Sequence, residues 1–168
     1  MPIRLFLTAV IAVGGFVFAN GYVENVKRER KTLLSFAACA KNIETALLRK
    51  RATLTDVLKS LNNLPAAEVF SRCAWIMENN PSLKVKKAFF EAANIKSDMS
   101  YAFFEETADF LEGVSRAGCE EEIVCAKEKY TAFLNEELDK NEGERQKKAK
   151  LKRTLIMFAA LAAGIILI

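Results

Sequence analysis

Two uncharged runs bracket the chain. Leu5 to Val23 is nineteen residues without a charge, and Thr154 to Ile168 is fifteen. Each has a positive cluster on its inward side: Lys27, Arg28, Arg30 and Lys31 follow the first run, and Arg145, Lys147, Lys148, Lys150, Lys152 and Arg153 precede the second. An apolar run beside a basic collar is the pattern of a membrane segment whose flanking cations stay on the cytoplasmic side. As a helix the first run is ~28 Å long, against a bilayer core of ~30 Å. The second is only ~22 Å long. It reads either as a tight span helped by snorkelling of Lys150, Lys152 and Arg153, or as a plug in the inner part of the bilayer. Arg4, the apolar run and Val17-x-Ala19 could also pass for a cleavable signal. The length of the run and the four cations after it favour an anchor, with residue 27 onward in the cytoplasm. The expected organisation is an N-terminal transmembrane anchor over 1–26, a cytoplasmic helical bundle over 27–153 and a C-terminal membrane segment over 154–168.

Between the collars the apolar positions recur at helical intervals. Phe36, Ala40, Ile43 and Leu47 define one face, and Arg49-Lys50-Arg51 closes that helix in a solvated turn. Thr53 to Asp56 has the T-x-x-D form of an N-terminal cap, ahead of Leu54, Val57, Leu58 and Leu61. Asn62-Asn63-Leu64-Pro65 is a turn with Pro placed to start the next helix. That helix is expected to bury Val69, Phe70, Cys73, Ala74 and Met77, and to end at Asn79-Asn80-Pro81. A fourth helix runs from Leu83 to Ala93 with Val85, Ala88, Phe89 and Ala92 inward. Ser97 to Ser100 supplies cap residues for a fifth, which buries Phe103, Thr107, Phe110, Leu111 and Val114 and stops at Gly118. Glu120, Glu121 and Glu122 then suit the first turn of a long last helix. Its stripe is Ile123, Ala126, Tyr130, Phe133, Leu134 and Leu138, weakened only at Asn141 and Gly143 before it reaches the basic collar. The reading is all-α: a six-helix bundle with an N-terminal transmembrane helix and a last helix running into a C-terminal membrane segment.

Composition agrees, with seven Gly and three Pro in 168 residues and no histidine. Few breakers and abundant Ala, Leu, Glu and Lys favour helix. The net charge of +4 hides a division. Residues 32–144 hold 14 basic and 19 acidic side chains, a net −5, so the positive charge lies beside the apolar runs. That arrangement suits anionic lipid headgroups and argues against nucleic acid as a partner. The four cysteines, Cys39, Cys73, Cys119 and Cys125, lack the paired knuckles of a zinc site. They are read as reduced thiols, with a disulfide as the alternative. Small residues in the two runs (Gly14, Gly15, Ala19; Ala159, Ala160, Ala163, Gly164) would let membrane helices approach closely, so the anchors are expected to pair within a chain or between copies.

No catalytic template fits. The chain lacks a phosphate-cradling glycine loop, and without histidine no Ser-His or Cys-His pair can form. No enzyme activity, metal or cofactor is expected. Two clusters remain as partner-contact candidates. One is the acidic row Glu105, Asp109 and Glu112, which is otherwise a solvated helix face. The other is Arg49-Lys50-Arg51, which lies apart from both collars. The collars, Lys27, Arg28, Arg30, Lys31, Lys147, Lys148, Lys150, Lys152 and Arg153, read as membrane-flanking topology signals. Trp75 is expected in the core or at its rim.

Several stretches together resemble the stage III sporulation protein AB family. They are the N-terminal anchor with its basic stretch, Ile43-Glu44-Thr45-Ala46-Leu47-Leu48, and Thr53-Leu54-Thr55-Asp56-Val57-Leu58. Val85-x-x-Ala88-Phe89 belongs with them, where the family tends to have Ala-Trp. So do Phe110-Leu111 through Ala117-Gly118, where Leu-Gly is usual, and the charged helix into a short apolar tail. The resemblance covers nearly the whole length and is one of architecture and spacing. It implies a soluble domain similar to that of type II secretion and type IV pilus platform proteins. It also implies a place in a secretion-like channel complex of the mother-cell membrane facing the forespore, with a secretion-type ATPase and other stage III sporulation subunits as partners. A membrane-anchored helical sensor or lipid-binding protein unrelated to sporulation is the alternative.

Overall fold

The computed structural model describes residues 2–62, 64–93 and 99–167, without the side chains of most positions before 20 and after 159. Among the described residues seven α-helices follow in order: α1 (Pro2–Lys50), α2 (Leu54–Ser60), α3 (Ala67–Asn79), α4 (Val85–Ala93), α5 (Tyr101–Arg116), α6 (Glu120–Lys140) and α7 (Gln146–Leu167). A π-helical turn, Asn141–Arg145, joins the last two, so α6 and α7 form one run. No strand occurs among the described residues, and the chain is all-α. It divides into two compact units, one of residues 1–30 with 138–168 and one of residues 31–137.

The unit of residues 31–137 is built on aromatic packing. Leu33, Phe36, Cys39, Ala40 and Ile43 of α1 are buried, as the four-and-three spacing predicts. Phe36 meets Phe70 of α3 and Phe103 of α5 edge-on, with ring centroids 5.3 and 4.8 Å apart. Two turns further along the same face of α5, Phe110 stacks on Tyr130 of α6 at 4.8 Å. Helices α2, α3, α4 and α5 pack in succession, each on the next. Gly113 of α5 faces Ala126 of α6, and a Cβ there would only just reach van der Waals contact, 3.4 Å from the Cβ of Ala126.

Local chemistry explains where the helices start. Thr53 caps α2: its Oγ1 accepts from Asp56 N at 3.3 Å and donates to the Asp56 carboxylate at 2.6 Å. Ser100 caps α5 by accepting from Phe103 N at 3.2 Å. Its neighbours Ser97 and Asp98 lie outside the described residues. The entry to α3 uses a tertiary cap that no local motif signals. Ala66 N donates to the buried Ser35 Oγ of α1 at 2.9 Å, and α3 begins at Ala67, two residues later than Pro65 suggests. Within α3, Phe70, Cys73, Ala74 and Ile76 are buried while Val69 and Met77 are half-buried. Trp75 is 62% exposed, so it is neither core nor rim.

Three points of helix continuity complete the fold. α1 runs without interruption from Pro2 to Lys50, through Gly21 and the first basic cluster. α5 ends at Arg116 with Ala117 as its cap at φ −57°, so Gly118 lies just past the helix as expected, and the described non-glycine with positive φ is Arg51, at 48°, just after α1. The long last helix is interrupted by the π turn at the stretch that Asn141 and Gly143 weaken.

The unit of residues 1–30 and 138–168 is organised the other way round. Val10, Val13 and Val17 of α1 are exposed, as are Leu151, Leu155 and Phe158 of α7. Both triplets fall on one helical face by spacing. Asn141 and Ala149 are buried instead. Among the described residues no helix is long and apolar enough to cross a membrane. Most side chains of the two expected membrane segments lie outside the description.

Candidate functional site

The buried polar groups of residues 31–137 are structural. Thr107 Oγ1 donates to Phe103 O at 2.8 Å, which leaves it to accept from Tyr130 Oη, also at 2.8 Å. Both hydroxyls are fully buried and fully used, and burial drives the Tyr130 phenol well above its ordinary range. Cys39 and Cys73 are buried free thiols, pushed up by burial to about 11 and about 12. A thiol held neutral in this way is a poor nucleophile and a poor ligand. Cys119 and Cys125 are free and exposed. Among the described residues no group of three or more His, Cys, Asp or Glu could hold a metal ion.

The acidic row of α5 is ion-paired within its own unit. Lys86 of α4 reaches Asp109 at 2.5 Å and Glu105 at 3.9 Å, and these carboxylates, the Asp109 hydrogen bond first, raise its pKa. Arg116 pairs with Glu112 one turn earlier on α5. What projects from this face is therefore a mixed-charge surface, not a block of negative charge.

Arg49, Lys50 and Arg51 have the opposite character. All three are exposed at the end of α1, and among the described residues none of them is in an ion pair. Arg51 lines an open groove of about 320 Å³ where the end of α1, the end of α5 and the start of α6 come together. Its apolar lining is Leu47, Leu48, Ala52, Val114, Ala117 and Ile123. Glu120 stands on the α6 side of the groove. Glu122 is occupied, since its carboxylate accepts from Gly118 N at 2.6 Å and caps the start of α6. The sequence marks the three cations, but only the fold brings one of them, Arg51, to an apolar trough.

The collars divide into two groups. Lys27, Arg28, Lys31, Lys147, Lys148, Lys150 and Lys152 are exposed, and Arg153 is half-buried. Lys27 lies 3.8 Å from Glu24 on the same helix. Arg30 and Arg145 instead bind across to acids: Arg30 Nε donates to Glu142 at 2.7 Å, and Arg145 pairs with Glu29. Asn141 Nδ2 donates to the other oxygen of Glu29 at 3.3 Å. This network, seated on the π turn, was not legible as a contact in the sequence. The nearest signal was Glu29, a lone acid set among Lys27, Arg28, Arg30 and Lys31.

The chain matches the stage III sporulation protein AB family over residues 4–168, nearly its whole length, and it belongs to that family. A sporulation-related role follows, together with interaction with other proteins of a sporulation complex; the family is not a known enzyme family. No curated protein and no solved structure matches the chain.

Proposed function

We propose that this protein is a non-enzymatic, membrane-held component of a secretion-like channel complex in the mother-cell membrane, where it docks a cytoplasmic secretion-type ATPase to membrane subunits. The observation that carries the membrane part of this reading is the outward exposure of apolar rows in the terminal unit. Val13, Val17, Leu151 and Phe158 are each at least 62% exposed, while Asn141 of the same unit is fully buried. In water that arrangement is unfavourable, and in lipid it is the expected one. The uncharged runs Leu5–Val23 and Thr154–Ile168, each beside a basic collar, support the same reading and put residues 31–137 on the cytoplasmic side. Anionic lipids are then the partners of the exposed collar lysines, and the anchors pair within or between copies. Family membership supports the sporulation partners.

The test is a crosslinking and pull-down survey with the full-length chain in sporulating cells. It is expected to recover the ATPase and channel subunits, and a survey that never recovers either would overturn the docking role. Flotation of the purified chain with vesicles containing anionic lipid tests the membrane part. Failure to float would remove it.

A further inference from the structure

Polar side chains tie α1 to the π turn inside the terminal unit. Arg30 Nε donates to Glu142 at 2.7 Å, Arg145 pairs with Glu29, and Asn141 Nδ2 donates to Glu29 at 3.3 Å. The earlier residue on α1 meets the later one on the π turn, so the two stretches are antiparallel. Arg30 and Glu142 are 42% and 50% exposed, and pairs of that kind contribute little stability. What they do is select. A slip of one turn would set Arg30 on Arg145 in one direction and Glu29 on Glu142 in the other. Either is a like-charge contact, so the four charges accept one register.

Burial along both helices obeys that register. Taken one residue for one residue, Arg30 opposite Glu142 sets Val23 level with Ala149 and Asn20 level with Lys152. Ala149 is buried, and Arg153 and Ile156 on the same face of α7 are half-buried. On α1 the half-buried positions are Asn20, Val23, Val26 and Arg30, again one face. Leu151, Leu155 and Phe158 project from the opposite face of α7 and are exposed.

We propose that Glu29, Arg30, Asn141, Glu142 and Arg145 form a clasp that folds the two apolar runs of one chain into a single antiparallel membrane hairpin with a shared inner boundary. In the register of the clasp, residues 154–167 lie beside residues 5–18. That is a common depth of ~21 Å at 1.5 Å per residue. The basic collar of residues 147–153 lies beside residues 19–25. Residues 20–23 therefore stand with the cations at the headgroup level, outside the apolar depth, although they carry no charge themselves. Two runs of unequal length become arms of equal depth. This inference rests on the membrane reading proposed above, and it names the partner of each anchor as the other anchor of the same chain.

The experiment introduces Val23→Cys with Ala149→Cys into the full-length chain, with the exposed thiols removed as Cys119→Ser and Cys125→Ser, and oxidises native membranes with copper phenanthroline. The expected product is a disulfide within one chain, identified by peptide mass spectrometry. Its yield should be at least about fivefold above that of Val23→Cys with Ile156→Cys, which is roughly two turns out of register. Arg30→Glu with Arg145→Glu brings four acids together and should lower the yield at least about fivefold. Adding Glu29→Arg and Glu142→Arg exchanges every charge of the clasp and should restore it. A dimer-sized product, equal yields in and out of register, or a yield indifferent to the charge variants would overturn the proposal. The boundary is read at Gly14 and Gly21, where an added Cβ meets open space. In inverted membrane vesicles a charged maleimide should label Gly21→Cys and spare Gly14→Cys. Protection of Gly21→Cys would overturn the shared boundary. Labelling of both, with the disulfide still formed, would uphold the clasp and remove the membrane reading. A chain that floats with vesicles yet gives only the dimer-sized product would do the reverse.

Discussion

The two units of this chain place their side chains by opposite rules. In residues 31–137 the large aromatics Phe70, Phe89, Phe103 and Tyr130 are buried, and Thr107 is buried only because both ends of its hydroxyl are used. In the terminal unit Val13, Val17, Leu151 and Phe158 face outward, while Asn141 is buried with its carbonyl oxygen unpaired. The same physical chemistry produces both, provided the surroundings differ. Apolar surface is driven inward by water at about 25 cal/mol per Å², and that force is absent where the surroundings are themselves apolar.

The largest expected effect separates the units directly. Phe103→Ala removes a ring that touches Phe36 at 4.8 Å in a fully packed setting, and should cost about 3–5 kcal/mol. Phe158→Ala, at a position 66% exposed, should change stability by no more than about 0.5 kcal/mol. Urea denaturation of the full-length chain in micelles, followed by circular dichroism, gives both values. Comparable losses would mean that Phe158 is covered by a protein surface, and the contrast between the units would fail. Next in size is Thr107→Val. It keeps the volume but leaves the Tyr130 hydroxyl without its partner, at a cost of about 1–3 kcal/mol. Thr107→Val with Tyr130→Phe should recover most of that loss.

An alkaline limb follows from the same burial. Cys39 and Cys73 are raised from 9.0 to about 11 and about 12, and Tyr130 is raised from 10.0, in each case because burial disfavours the anion. These groups ionise first in the unfolded chain. Their contribution is therefore intact below pH 9 and falls as pH rises through 9 to 12. Each thiol contributes a slope of up to about 1.4 kcal/mol per pH unit. Cys39→Ala with Cys73→Ala should flatten the limb that starts at pH 9, and an unchanged slope would contradict the burial of these thiols.

Much of the larger unit was legible in the sequence because its signals are local and periodic. Every position assigned inward on α5 is buried, and Thr53 and Ser100 cap as their motifs indicate. What was not legible depends on residues far apart in sequence, such as Ser35 capping α3 or Lys86 neutralising the α5 acids. The candidate cations Arg49, Lys50 and Arg51 were visible as charges, but the trough that Arg51 lines needs three helices to exist. Arg51 shows a backbone feature without a local signal, since its left-handed position falls on an arginine. Arg51→Gly should therefore stabilise the chain by about 1 kcal/mol. A loss instead would show that the Arg51 side chain contributes more to folding than its backbone costs.

The smallest effect is the sharpest probe of the terminal unit. Asn141 makes one long bond, 3.3 Å to Glu29, and its Oδ1 is buried without a partner. A buried orphan acceptor costs about 1–3 kcal/mol, and one ordinary hydrogen bond returns a net of about 0.5–1.5 kcal/mol. The residue also sits at the start of a π turn, where the helix gives up its regular bonding. Asn141→Leu, which keeps the branching and removes the orphan acceptor, should then raise protection of the amides around residues 138–150 by up to about 1 kcal/mol in hydrogen exchange. Thr107→Val in the other unit should lower it. If Asn141→Leu also lowers protection, the carbonyl is satisfied in solution, and the collar network is held as tightly as the Thr107–Tyr130 pair. The two units would then differ only in which way their apolar faces point.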